Sequence, residues 1–189
     1  LDHNATTPLD KRVLDKMIPY FSEVYGNASS TDHLHGNHAK QAVQKARENI
    51  AKILGCRKSN EIIFTSGATE SNNLALIGAF RKYKDKGNHI ISSAIEHPCV
   101  LDTLEFLKTE GAEVTLLPVD KYGFVSITDL EDSIRDDTIL ISIMFANNEI
   151  GTIEPISEIG KIAKANNILF HTDAAQAVGH IKVNVYEMD

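Results

Sequence analysis

Three observations predict an α/β fold for this chain, built on a mostly parallel sheet flanked by helices. From residue 61 onward, short β-branched segments alternate with helical patterns, the signature of consecutive strand–helix units. The run TILISIMF at 138–145 is almost wholly apolar, as a strand covered on both faces requires. Finally, four polar segments each fall where a strand candidate gives way to a turn or helix: EIIFTSGATESNN at 61–73, SAIEHPCV at 93–100, ANNEIGT at 146–152 and HTDAAQAVG at 171–179. Ligands of parallel sheets collect at the carboxyl ends of strands, where these segments lie.

Taken in order, residues 10–21 read as a helix with Asp10 as its N-cap. A clearer helix is expected over 37–54. Ala39, Ala42, Val43, Ala46, Ile50, Ile53 and Leu54 recur at helical spacing, and Gly55 follows as the stop. Strands are expected at 61–65, 89–94, 113–119, 138–145 and 168–172, with helices at 69–84, 98–110, 127–135 and 155–166. The chain contains neither repeats nor low-complexity tracts nor a Pro/Gly linker.

The 189 residues suit one domain, or a domain with a small extension, and can bury a substantial core. A hydrophobic share of 42% with 24% charged residues is ordinary for a globular protein. The net charge of −7 argues against broad nucleic-acid binding and against attraction to anionic membranes. No apolar run approaches the roughly 20 residues of a membrane span. Two cysteines, Cys56 and Cys99, are far from a disulfide framework, which makes a reducing cytoplasm the default compartment.

The four polar segments supply the partners that a phosphorylated pyridine cofactor needs. Gly67 is expected to allow a tight turn, after which Ala68 and Thr69 present N–H groups at a helix N-terminus, an anion site. A simple capped helix start is the alternative. His97 precedes Pro98, a residue suited to the first helical position. An imidazole there can stack on an aromatic ring and move protons near neutral pH, or it can simply be a surface side chain at a helix start. Cys99 invites a nucleophile reading, but Val100 and Leu101 after it favour a packed thiol. Asn147 and Asn148 suit a turn, and an amide there can also bind a phenolate oxygen or a substrate carboxylate. Asp173 ends an apolar strand, and small residues beyond it leave room for a flat ligand. A carboxylate in so poorly solvated a place wants a cation, which a pyridinium nitrogen supplies. Helix capping is its alternative role. Gln176, one helical turn on, can reach a ring hydroxyl. His33, His35 and His38 do not match a tetrahedral zinc spacing and no metal site is expected of them; they are expected in a loop facing the active site, or as merely polar side chains.

The runs LDHNATTP at 1–8, YGNASS at 25–30, GATESNN at 67–73, EH at 96–97, NNEIGT at 147–152 and HTDAAQ at 171–176 resemble the class V aminotransferase family, collinearly from the first residue to the last. Within it, NNEIGT is similar to the NifS/IscS-type cysteine desulfurases rather than to serine aminotransferases. The resemblance implies fold type I of the pyridoxal phosphate (PLP) enzymes with an incomplete large domain. Residues 1–15 would belong with the small domain at the active-site entrance, and 16–189 would form the N-terminal part of the large, PLP-binding domain. Ala68 and Thr69 would bind the phosphate. His97 would stack on the ring and shuttle protons as a catalytic residue. Asn148 would sit by the ring hydroxyl and substrate, Asp173 would pair with the pyridinium, and Gln176 would meet the ring oxygen.

By the same resemblance the protein would be a homodimer that converts L-cysteine to L-alanine. The sulfur would pass through an enzyme persulfide to an acceptor or scaffold protein for iron–sulfur cluster or thiolation pathways. The Schiff-base lysine, in a Ser-x-His-Lys segment, would fall beyond Asp189, with the sulfur-accepting cysteine later still; neither Cys56 nor Cys99 matches it. The chain is therefore expected to be part of something longer and not to desulfurate cysteine alone. A selenocysteine lyase, another class V enzyme and a non-catalytic module of the same fold are the competing readings.

Overall fold

A computed structural model describes residue 3 and residues 6–188. The run at 1–8 lies partly outside them. The chain divides into two compact units, residues 1–63 and 64–189.

In the first unit, Asp10 caps α1 (Lys11–Met17), its carboxylate accepting from the N–H of Arg12 at 2.8 Å. Pro19 interrupts the expected single helix and starts a further turn, α2 (Pro19–Ser22). A proline has no N–H to continue the ladder but fits a first helical position, so the pattern over 10–21 becomes two helices. α3 (Leu34–Ile53) is capped by His33, whose Nδ1 accepts from the N–H of Gly36 at 3.1 Å. His35 and His38 accordingly lie on a helix rather than in a loop. A Cβ on Gly36 would stand 1.6 Å from the carbonyl oxygen of Ser30, so only glycine lets the 27–30 turn pack against the start of α3.

The second unit holds four parallel strands, β1 (His89–Ser93), β2 (Glu113–Leu117), β3 (Thr138–Ser142) and β4 (Leu169–His171). Their spatial order is β2-β1-β3-β4. Around them run α4 (Ala68–Tyr83), α5 (Pro98–Thr109), α6 (Ile127–Asp132) and α7 (Ile156–Ala165). Leu76 and Phe80 of α4 and Val100, Leu104 and Leu107 of α5 close over Ile90 and Leu140, which are register partners on β1 and β3. The adjacent partners Ile91 and Ile141 alternate to the other face and are also fully buried. Both faces are covered, as the apolar run predicted.

The expected strand at 61–65 does not join the sheet. Ser59–Glu61 form a 3-10 turn, Ile62 is extended, and Ile63 stays 70% exposed. β-branched side chains favour extended backbone, but a strand also needs ladder bonds, and the Ile62 carbonyl accepts from the guanidinium of Arg47 instead. No helix among the described residues is long and apolar enough to cross a membrane.

The chain leaves β1 for β2 on one side and returns to place β3 on the other. In parallel α/β sheets ligands bind at such a reversal, here outside the carboxyl ends of β1 and β3.

Candidate functional site

Asp173 lies two residues beyond β4, where its carbonyl accepts from the N–H of Phe145 at 2.9 Å and so continues the β3–β4 pairing. Its carboxylate is held from two directions. Oδ1 accepts from the N–H of Ala175 at 2.9 Å, and Oδ2 accepts from Nδ2 of Asn72 at 2.7 Å. Asn72 comes from α4 and is only 4% exposed. The same Nδ2 donates to Sγ of Cys99 at 3.2 Å, and the N–H of Cys99 donates to Nδ1 of His97 at 3.2 Å. One hydrogen-bonded chain thus runs from Asp173 through Asn72 and Cys99 to His97, joining the end of β4 to α4 and α5.

His97 is the N-cap of α5, with Pro98 at the first helical position. Because Nδ1 accepts, a neutral ring carries its proton on Nε2. Cys99 packs against the core, as its apolar neighbours predicted.

Ala68 and Thr69 are the first two residues of α4, and both are exposed. Among the described residues no side chain caps this helix, which leaves its leading N–H groups without a side-chain acceptor. Glu70 turns back to Ser66 instead, with Oε2 accepting from both N–H and hydroxyl at 2.6 Å, and these bonds hold its carboxyl below the usual range. Gly67 departs from expectation. Its φ of 166° and ψ of −178° are extended backbone open to any residue, not a tight turn, and a Cβ there would meet nothing within 4 Å. The glycine leaves clear space in front of the helix start.

Asn147 organises the turn after β3. Its Oδ1 accepts from the N–H groups of Glu149 and Ile150 at 2.9 and 3.0 Å, and its Nδ2 donates to the Ile95 carbonyl at 3.0 Å. Gly151 completes the turn with φ +75°. Asn148 is thereby presented half-buried, and Gln176 is half-buried on the turn after Asp173. Among the described residues, neither side chain hydrogen-bonds to the Asp173–His97 chain.

Asn72 and Glu96 lie within the runs GATESNN and EH, but neither has a role legible from those runs. Asn72 lies on the stripe Asn72, Leu76, Phe80, all buried, so an amide at a core position of an amphipathic helix was its legible signal. Glu96 is 4% exposed and ties two strand ends together: Oε1 accepts from the Ser93 hydroxyl and from the N–H of Met144, both at 2.7 Å. Among the described residues its Oε2 has no partner. Burial pushes the Glu96 carboxyl up to about 7, against the pull of the Ser93 and Met144 bonds and with added repulsion from Asp173 and Glu154. His171, whose Nδ1 lies 2.9 Å from the Ser142 hydroxyl, is held below its ordinary value by burial, offset by the charge of Asp173.

Fold and site together define a parallel α/β domain that sets a held carboxylate and an uncapped helix start at one end of its sheet. The chain belongs to the class-V aminotransferase family (Aminotransferase class-V), which matches residues 1–189. It is 55% identical to the cysteine desulfurase IscS of Methanosarcina thermophila over 189 residues, covering 100% of this chain and 46% of that protein. A solved NifS-like protein superposes with a TM-score of 0.95 at 42% identity, covering 100% of this chain and 52% of that one. A structure of SspA in complex with cysteine gives 0.94 at 43% identity, over 99% of this chain and 53% of its own. The chain spans about half the length of the curated relatives it matches.

Proposed function

We propose that this chain forms the cofactor-holding wall of a PLP-dependent cysteine desulfurase, and that Asp173 is its anchor for the pyridine ring. The observation that carries the reading is the Asp173 carboxylate, whose donors among the described residues, Ala175 N–H and Asn72 Nδ2, are both neutral. Its charge is left for a cationic ligand. The uncapped start of α4, the open space at Gly67 and the Thr69 hydroxyl suit a phosphate. The donor set therefore fits PLP. When bound, that group supplies an electron sink for charge developing at the substrate Cα.

Around it, Ala68 and Thr69 bind phosphate, Asp173 keeps the ring nitrogen protonated, and His97 stacks on the ring and moves a proton at Nε2. Asn148 and Gln176 address the ring oxygen and the substrate. In the net reaction the Cβ–S bond of L-cysteine breaks. The sulfur joins an enzyme cysteine as a persulfide, and the carbon skeleton leaves as L-alanine. The relatives named cysteine desulfurase and the cysteine complex of SspA support the substrate. Two free thiols, Cys56 and Cys99, suit a reducing cytoplasm, and the family resemblance supports a homodimer that hands sulfur to an acceptor or scaffold protein.

The protein expressed from its complete reading frame is expected to release one L-alanine per sulfur recovered as sulfide under a thiol reductant. Consumption of cysteine without alanine contradicts the reading. A kcat/KM far higher for selenocysteine than for cysteine makes the protein a selenocysteine lyase instead.

A further inference from the structure

We propose that Asn72 is the positioning residue for Asp173: a neutral amide that orients the carboxylate toward the ring nitrogen without neutralising it. The inference rests on the reading of Asp173 given above and assigns the device that makes it work.

A carboxylate can only accept, so the amide nitrogen, not its oxygen, faces Asp173. That nitrogen has two hydrogens, and both are directed: one to Asp173 Oδ2 at 2.7 Å, the other to Cys99 Sγ at 3.2 Å. With Oδ1 taken by Ala175 N–H, the carboxylate has a single orientation. α4 is itself clamped to α5, because the Thr103 hydroxyl meets Oδ1 of Asn73 and, at 2.7 Å, the Cys99 carbonyl. Asn72 is 4% exposed, so solvent does not compete for its bonds. A lysine or arginine here would hold Asp173 equally well but would supply the positive charge that the ring nitrogen must bring. An aspartate would keep the shape and reverse the interaction, setting two carboxylates against each other. Asparagine alone of these orients Asp173 and leaves its charge unanswered.

The test compares two probes on the full-length protein: PLP, and an analogue in which carbon replaces the ring nitrogen. Both carry the same aldehyde and phosphate, so their affinity ratio isolates the contact at the ring nitrogen. The wild type is expected to prefer PLP. N72L, which removes the donor without adding charge, is expected to lower that preference by about tenfold to a hundredfold, the range for losing a hydrogen bond to a charged group. N72S, which keeps a shorter donor, should fall between, and it serves alone if N72L does not fold. D173A should remove the preference. A merely structural role for Asn72 would weaken both probes alike and leave the ratio unchanged. An unchanged ratio in the Asn72 variants, with the ratio lost in D173A, overturns this inference alone. A ratio that survives D173A overturns the reading of Asp173 and this inference with it.

Discussion

Glu96 sits between Ser93 and Met144 with one oxygen satisfied twice and the other not at all, a placement that favours its neutral form. Its carboxyl is raised from 4.5 to about 7 in the folded protein, with burial the leading cause. Between those values the folded state binds more protons than the unfolded chain, so this residue's contribution is fully present below pH 4.5 and is lost as pH rises through about 7. The size of the loss is about 3 kcal/mol, from 1.36 kcal/mol per unit. Glu96→Gln keeps an acceptor for Ser93 and Met144 and cannot ionise. Urea unfolding at several pH values is expected to show a smaller fall in stability toward alkaline pH for the variant than for the parent. Equal slopes would contradict the assignment.

The strands themselves are tied at the opposite end of the sheet by His89, which opens β1. Its Nδ1 lies 2.7 Å from the Thr138 hydroxyl of β3, and its Nε2 lies 2.8 Å from the Thr115 hydroxyl of β2. Burial first, then the charge of Arg135, hold this imidazole below 6.5. The unfolded state therefore binds the proton more readily, and stability contributed here falls as pH drops below 6.5. His89→Leu removes that acid-side slope and costs about 1–3 kcal/mol at neutral pH, because it takes the imidazole partner from the Thr115 hydroxyl and leaves the Thr138 hydroxyl with the Arg135 N–H alone. Unfolding of the variant and parent at pH 5 and 7 checks both statements; an undiminished slope contradicts them. Elements with strong periodicity were legible in the sequence. α4 and α5 begin within a residue of the expected starts, and β3 falls inside its apolar run. Pairing was not legible. Residues 61–65 have strand composition, yet a neighbouring arginine answers the Ile62 carbonyl, and no residue within the segment announces that.

Across the whole molecule, the site draws on four segments that the sequence separates by up to a hundred positions and the fold collects at one end of the sheet. Asp173 was legible because a carboxylate closes an apolar strand before small residues, and His97 because a proline follows it. Asn72 was hidden because its importance lies in a bond spanning 101 residues to Asp173. Gly67 differs in the opposite sense: its backbone angles are open to any residue, and what the glycine leaves is space. Asp173, fixed by the Asn72 amide and the Ala175 N–H, is the residue we propose to pair with a pyridinium. The most direct test of that pairing is a PLP titration of the full-length protein and its Asp173→Ala variant, followed by absorbance and by the thermal shift on binding. PLP binding at least about tenfold weaker is expected in the variant, as loss of a hydrogen-bonded charge pair implies. Equal affinity and an unchanged spectrum would contradict it.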